Sequence, residues 1–297
     1  MQRLVYISLM IILSTTGMLA QQNPHYTQYM FNDFIINPAV AGTKNYYQIR
    51  SNHRFQWVGL VDPPMTNTLS VYGPHATLDM GYGGYFYNDV TGPSSRTGLS
   101  GTYAYNIALD RDIRLSMGLS LGIMQFKIDG SQLTSKDPAD IAIQPVVFST
   151  YVPDATIGAY VYAEEFYGGF SVTQLFNNSL RIFEEKNGLN KLKSHFYITG
   201  GYIYEINREF KLEPSIIIKG TAPKVFQFDL TTRVVYKDFV WGGLSFRSKD
   251  ALSILLGYVH EEKFYFGYAY DIGVSGIRKF NAGTHELMIA YKFNEIK

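Results

Sequence analysis

The chain has 297 residues, a formal net charge of +1 and no cysteine, which excludes disulfide frameworks, lipoprotein anchors, thiolate metal sites and cysteine nucleophiles. A charge so close to balance offers no broad basic face for nucleic acid. Charged residues make up 17% against roughly a quarter in soluble domains, while Tyr 24, Phe 20 and Gly 27 are abundant, a composition that leans towards a membrane barrel.

The N-terminus carries one continuous apolar run, residues 4–13, preceded by Arg3 and followed by Ser14, Thr15, Thr16 and Gly17. It is too short to cross a bilayer as a helix and has the order of a secretory signal, with cleavage expected after Ala20 and residues 1–20 removed. Residues 21–44 lack clean alternation. Asn37-Pro38 and Ala41-Gly42 are turn signals, so this stretch reads as an ordered, irregular lead-in and a candidate plug for whatever follows.

From residue 45 to 297 the pattern has a period of two, which only a β-strand turns into two distinct faces. The clearest case is 113–125, where Ile113, Leu115, Met117, Leu119, Leu121 and Ile123 alternate with Arg114, Ser116, Gly118, Ser120 and Gly122. Ordinary globular strands are about half as long, whereas a tilted membrane strand needs about 9–11 residues with one face in lipid. In the first strand Tyr47, Ile49, Phe55 and Trp57 face one way and Gln48, Arg50, Asn52, Arg54 and Gln56 the other, with Ser51 and His53 spoiling the apolar face. Further strands are predicted at 66–72, 80–88, 97–109, 155–163, 166–172, 195–206, 210–219, 225–236, 239–247, 251–259, 263–271 and 285–293. The total is about fourteen antiparallel strands, an even number as an outer-membrane barrel requires. Pro214 inside its strand implies a bulge or local gap.

Short charged turns are expected on one side at 110–112, 164–165, 207–209, 237–238 and 261–262, and longer loops on the other at 89–96, 128–154, 175–194 and 273–284. The connections 73–79 and 248–250 break that alternation. Tyr46-Tyr47, Tyr103 with Tyr105, and Tyr202 with Tyr204 fit interfacial girdles.

Chemical motifs are sparse. There is no phosphate loop, no His-Glu-x-x-His and no Gly-x-Ser-x-Gly, and His25, His53, His75, His195, His260 and His285 are scattered, so no cofactor, metal or catalytic site is expected. His285 and Glu286 are adjacent and should point to opposite faces of a strand. A barrel hydrolase would require a Ser-His pair within hydrogen-bond reach on the lipid-facing rim. Lumen charges of both signs, at Arg50, Arg54, Arg114, Glu205, Lys211, Glu213, Asp229, Arg233, Arg247, Asp271 and Glu286, suggest an interior braced by ion pairs rather than an ion filter.

Several motifs occur in order: Gln28-Tyr29-Met30-Phe31, Asn37-Pro38-Ala39 with Ala41-Gly42, Arg54-x-Gln56-Trp57-x-Gly59, and Thr66-x-Thr68-x-Ser70-Val71-x-Gly73-Pro74. Asn88-Asp89-x-x-Gly92-Pro93-Ser94, Tyr103-x-Tyr105, Gly242-x-x-x-x-Arg247, Gly257, Gly267-Tyr268-x-Tyr270-Asp271 and His285-Glu286 follow. Together they resemble the PorP/SprF family over essentially the whole mature chain. The resemblance implies a non-enzymatic outer-membrane protein associated with type IX secretion and gliding motility. Its implied partners are outer-membrane lipid, other secretion components and a large secreted adhesin with a type B C-terminal sorting domain, exported or anchored with its help. Gln28, Tyr29, Asn37, Pro38, Gly42, Arg54, Trp57, Gly59, Gly73, Pro74, Asp89, Gly92 and Pro93 are the signature positions, with roles left open. The alternative is a passive porin or small-hydrophobe transporter.

Overall fold

In the computed structural model, which describes residues 23–133, 146–180, 191–221 and 225–296, the chain forms one closed antiparallel β-barrel. The predicted signal segment 1–20 and the middles of the two longest loops lie outside the described residues. Strands are β1 (Tyr47–Phe55), β2 (Met65–Pro74), β3 (Met80–Thr91), β4 (Ser94–Ala108), β5 (Arg114–Asp129), β6 (Val147–Tyr162) and β7 (Phe166–Thr173). They continue as β8 (His195–Tyr202, resumed at Tyr204–Glu205), β9 (Phe210–Thr221), β10 (Val225–Tyr236), β11 (Val240–Arg247), β12 (Ala251–His260), β13 (Phe264–Gly273) and β14 (Thr284–Phe293). Each pairs with its neighbours in sequence, and β1 closes the ring by pairing with both β2 and β14, giving fourteen strands.

The period of two becomes a wall with two solvents. On β5, Met117, Leu119, Leu121 and Ile123 point outwards and are exposed, while Ser116 and Ser120 are buried in the lumen. The same division runs round the ring through Leu69, Leu99, Ile198, Leu244, Ile254 and Ile289. So continuous an apolar exterior would aggregate in water and is stable in hydrocarbon.

Pro214 leaves its mark as a gap and not a bulge. Ser215 stands opposite Gly201 and Leu212 opposite Tyr204, so the register is the same on either side of the break in β8. Proline brings no N–H to the ladder, and at the break Ile203 donates its own N–H to Glu165 on the other side, at 2.6 Å.

Trp57, expected on the outer face of the first strand, lies instead in the loop after β1, which ends at Phe55, and three other local expectations change. The predicted loop 89–96 is instead a continuation of β3 and β4 that turns only at Gly92 and Pro93, with Thr91 opposite Ser94. The predicted loop 128–154 gives up its second part to β6, which begins at Val147. Tyr47 lies on the outer wall, its hydroxyl against that of Tyr82, whereas Tyr46 faces the interior and belongs to no outer girdle.

The lead-in runs down the inside of the barrel. Asn23 bonds Thr173 and Tyr197 near the loop-bearing end, and the chain leaves at the opposite end, where Ile296 donates to Asn45. On the way it forms a short helix, α1 (Asp33–Ile36), and a 3-10 turn at Pro38–Val40. Isolated segments this short are not stable helices, so the barrel interior fixes them.

Candidate functional site: a clamp on the luminal segment

The lumen-facing parity of six strands brings three cations and three carboxylates together near the loop-bearing end. Arg54 of β1 pairs with Asp271 of β13 at 2.7 Å and with Glu286 of β14 at 3.0 Å. Arg247 of β11 pairs with Asp229 of β10 at 2.9 Å, with Asp271 at 3.2 Å and with Asp250 at 3.2 Å. Lys219 of β9 ends the chain of pairs against Asp229 at 3.2 Å. Arg54, Arg247, Asp229 and Glu286 are at most 2% exposed, so every charge here depends on its partners. A buried network like this contributes little net stability against an apolar core, yet removal of a single member leaves an uncompensated charge.

The network is aimed at the lead-in. Glu286 accepts the backbone N–H of Thr27 at 2.7 Å and of Gln28 at 3.0 Å, and also the Asn52 amide at 3.1 Å. The Thr27 hydroxyl donates to Asp271 at 2.8 Å while accepting from Arg54 at 2.8 Å and Arg247 at 2.9 Å. Gln28 adds a bond from its amide to the carbonyl of Glu286 at 3.3 Å. One threonine hydroxyl and two peptide N–H groups are thus built into a cluster of seven charges, with Asp250 at its edge. Just before them, His25 is held well below the usual histidine range, first by burial and then by the positive charges of Lys219, Arg247 and Arg54.

Further down, packing replaces charge. Tyr29 reaches Ser215 at 2.9 Å, and burial pushes its phenol up to about 12. Phe31 packs on Trp241 at 4.9 Å and Phe34 stacks on Tyr72 at 4.1 Å. Asn37 accepts the N–H of Ala39 at 3.0 Å and donates to the carbonyl of Ala159 at 3.0 Å, while Ser171 bonds the carbonyl of Ile36 at 2.8 Å. The backbone approaches the wall closely enough that a Cβ on Gly118 would collide with Pro38 and Ala39. Gly42, at φ +76°, fits against Gly81, whose Cα would lie 2.7 Å from an added Cβ.

Of the signature residues, Gln28, Tyr29, Asn37, Pro38, Gly42 and Arg54 converge on this luminal contact. The others do not. Trp57 (φ +53°) and Gly59 (φ +99°) shape the β1–β2 loop, with the Trp57 N–H bonded to Thr284 at 3.1 Å. Asp89 accepts from Thr66 at 2.7 Å, and Gly92 and Pro93 form the β3–β4 turn, where the Pro93 carbonyl accepts the N–H of Asp129. Gly73 and Pro74 end β2 at the other end of the barrel, Gly73 beneath the Tyr47 ring. Sequence reasoning overlooked Thr27 as an anchor. Its only signal was its place beside Gln28 in a polar stretch facing an interior rich in ionic residues.

At the terminus-bearing end the lumen is looser. A cavity of about 230 Å³ beneath the lead-in is lined by Asp33, Lys44, Tyr46, Arg50 and Lys292, and a neighbouring one of about 630 Å³ opens beside Arg233 and Trp241. Here cations meet rings: Lys292 lies 4.4 Å from Tyr46 and 4.6 Å from Tyr265, and Arg233 lies 4.5 Å from Phe31. Asp33 has its carboxyl raised above the usual range, chiefly by burial.

Comparison with known proteins gives a clear family match. The family model described as "Type IX secretion system membrane protein PorP/SprF" matches residues 18–291. No curated protein matches the sequence. Among solved structures, the CymD monoaromatic hydrocarbon channel is similar with a TM-score of 0.53 at 11% identity, covering 88% of this chain and 92% of that one. A Pseudomonas aeruginosa FadL homologue aligns over 93% of this chain and 96% of its own, with TM-score 0.49 and 11% identity. KdgM porin aligns over 83% and 99%, with TM-score 0.42 and 9% identity. At such identities the channel likeness carries the barrel fold alone, and the two scores below 0.5 carry no argument.

Proposed function

Because this chain belongs to the PorP/SprF family of type IX secretion system membrane proteins, we propose that it works in the outer membrane as a closed barrel that helps export or anchor a large adhesin. The adhesin bears a type B C-terminal sorting domain, which docks on the loops around 128–154 and 175–194 through aromatic and backbone contacts. That role requires binding and no catalysis. The observation that carries it is the family match over nearly the whole chain, and the filled lumen supports holding over passive flow.

In this reading residues 1–20 are removed on export, 21–44 act as the plug, and 45–297 form the membrane barrel. Gln28, Tyr29, Asn37, Pro38, Gly42 and Arg54 hold the plug, while the remaining signature positions set the geometry of the rims. Deleting residues 175–194 tests the assignment: partner retention at the cell surface is expected to vanish while the barrel stays heat-modifiable on gels. Full retention would defeat it.

A second reading, a passive porin or small-hydrophobe transporter, draws support from the interrupted ladder at Ile203 and Pro214, both of which line the 230 Å³ cavity. Uptake of a small apolar solute that is lost on restoring the ladder with Pro214→Thr would favour it.

A further inference from the structure

Two polar residues that interrupt the apolar outer face of β1, Ser51 and His53, are not isolated. Alternation places both on the same side of the strand, and register places Asn67 of β2 directly opposite His53. Ser51 Oγ lies 3.0 Å from His53 Nε2, and His53 Nδ1 lies 2.7 Å from Asn67 Oδ1. The assignment of ring nitrogens matters. An amide oxygen accepting from Nδ1–H holds the tautomer in which Nε2 presents its lone pair to the serine hydroxyl, the arrangement that makes serine a nucleophile. Ser51 Oγ has a second contact, 3.3 Å to the carbonyl of Thr68.

The surroundings select a substrate class. All three residues are half-buried on the lipid-facing wall, where polar side chains are costly and point to function. Asn67 belongs to a polar outward row, opposite Asn88, which in turn faces Thr97. Ser51 sits one row lower, flanked by Leu69 and Ile289, both about half exposed to the membrane. The three therefore form a polar patch within the outer wall, with apolar Phe55 beyond His53 and Leu69 and Ile289 beside Ser51, open to the acyl chains and ester groups of the surrounding lipid.

We propose that Ser51, His53 and Asn67 form an esterase site on the outer wall of the barrel, acting on acyl esters of membrane lipids. Ser51 Oγ attacks the ester carbonyl carbon while His53 Nε2 takes the hydroxyl proton. The C–O bond to the alcohol breaks, and His53 returns that proton to the departing alkoxide, leaving an acyl-serine. Water then attacks the acyl-serine, again deprotonated by His53, releasing the fatty acid and restoring the Ser51 hydroxyl. Asn67 is a positioning residue that acts through His53. The lumen takes no part, so this activity stands apart from adhesin handling.

The test uses the purified full-length barrel with two probes: a fluorophosphonate that labels activated serines, and phosphatidylethanolamine vesicles carrying a fluorogenic acyl ester. Labelling at Ser51 and acyl release are both expected. Ser51→Ala should abolish both, and His53→Ala should slow both by about a hundredfold or more, the size of general-base assistance. Asn67→Ala should slow labelling and Asn67→Asp should restore it, a rescue that a merely structural amide would not give. Heat-modifiability confirms that each variant folds, and Ser51→Ala should leave partner retention unchanged. Labelling no greater than in Ser51→Ala, or labelling without acyl release from the vesicles, would overturn the proposal.

Discussion

The two ends of the lumen solve the same problem in opposite ways. At the loop-bearing end the lead-in is gripped by charge: Thr27 and Gln28 are bonded into the Arg54, Asp271, Glu286 and Arg247 cluster, and the cavity beside His25 and Lys219 is only about 80 Å³. At the terminus-bearing end the interior retains cavities, and its cations rest on rings of Phe31, Tyr46 and Tyr265. The difference teaches where the lead-in is fixed. A buried charge cluster tolerates no loss, whereas a cation over a ring beside a cavity gives way at small cost.

The comparison is sharpest at Glu286. Glu286→Ala takes from the buried Arg54 one of its two carboxylates, leaving the cluster with an excess positive charge, and frees two peptide N–H groups of the lead-in, so about 3–5 kcal/mol of stability should be lost. The denaturant midpoint and protease cleavage near residue 27 would register it; an unchanged midpoint would show that the cluster does not hold the segment. Asn37→Ala removes three bonds from the middle of the path and should cost about 1–2 kcal/mol, read the same way.

Acidification probes the charged end by another route. His25 is neutral in the folded barrel to well below the ordinary histidine pKa of 6.5. Its contribution is fully present above that value and is lost as pH falls below it, because the released segment then binds a proton that the folded one does not. The loss should be about 1.4 kcal/mol per pH unit at most, and His25→Gln should flatten it in a pH series of denaturant midpoints. At the looser end Lys292→Gln should change stability by less than about 0.5 kcal/mol; a loss comparable to that of Glu286→Ala would erase the contrast between the two ends.

The barrel was legible because lipid and lumen write a period of two into every strand. Ser116, Ser120, Arg54 and Glu286 could be assigned to the interior from parity alone. The extended β3–β4 hairpin was not legible, since Asp89 to Arg96 is polar and rich in turn residues, and cross-strand pairing beyond the apolar zone leaves no alternation to detect. The path of the lead-in was hidden for a related reason. Its helix and 3-10 turn are imposed by Gly118, Gly81, Tyr72 and Ala159 on the wall, residues that are unremarkable in their own strands. Ser51 and His53 registered only as faults in an apolar face, because their partner Asn67 lies on the next strand and only register brings it opposite.

Residues 23–42, held by the charge cluster, are proposed to close the barrel. Single-channel recording of the full chain in planar bilayers tests it most directly. Negligible steady conductance is expected for the intact protein; large steady pores from the intact protein would contradict it.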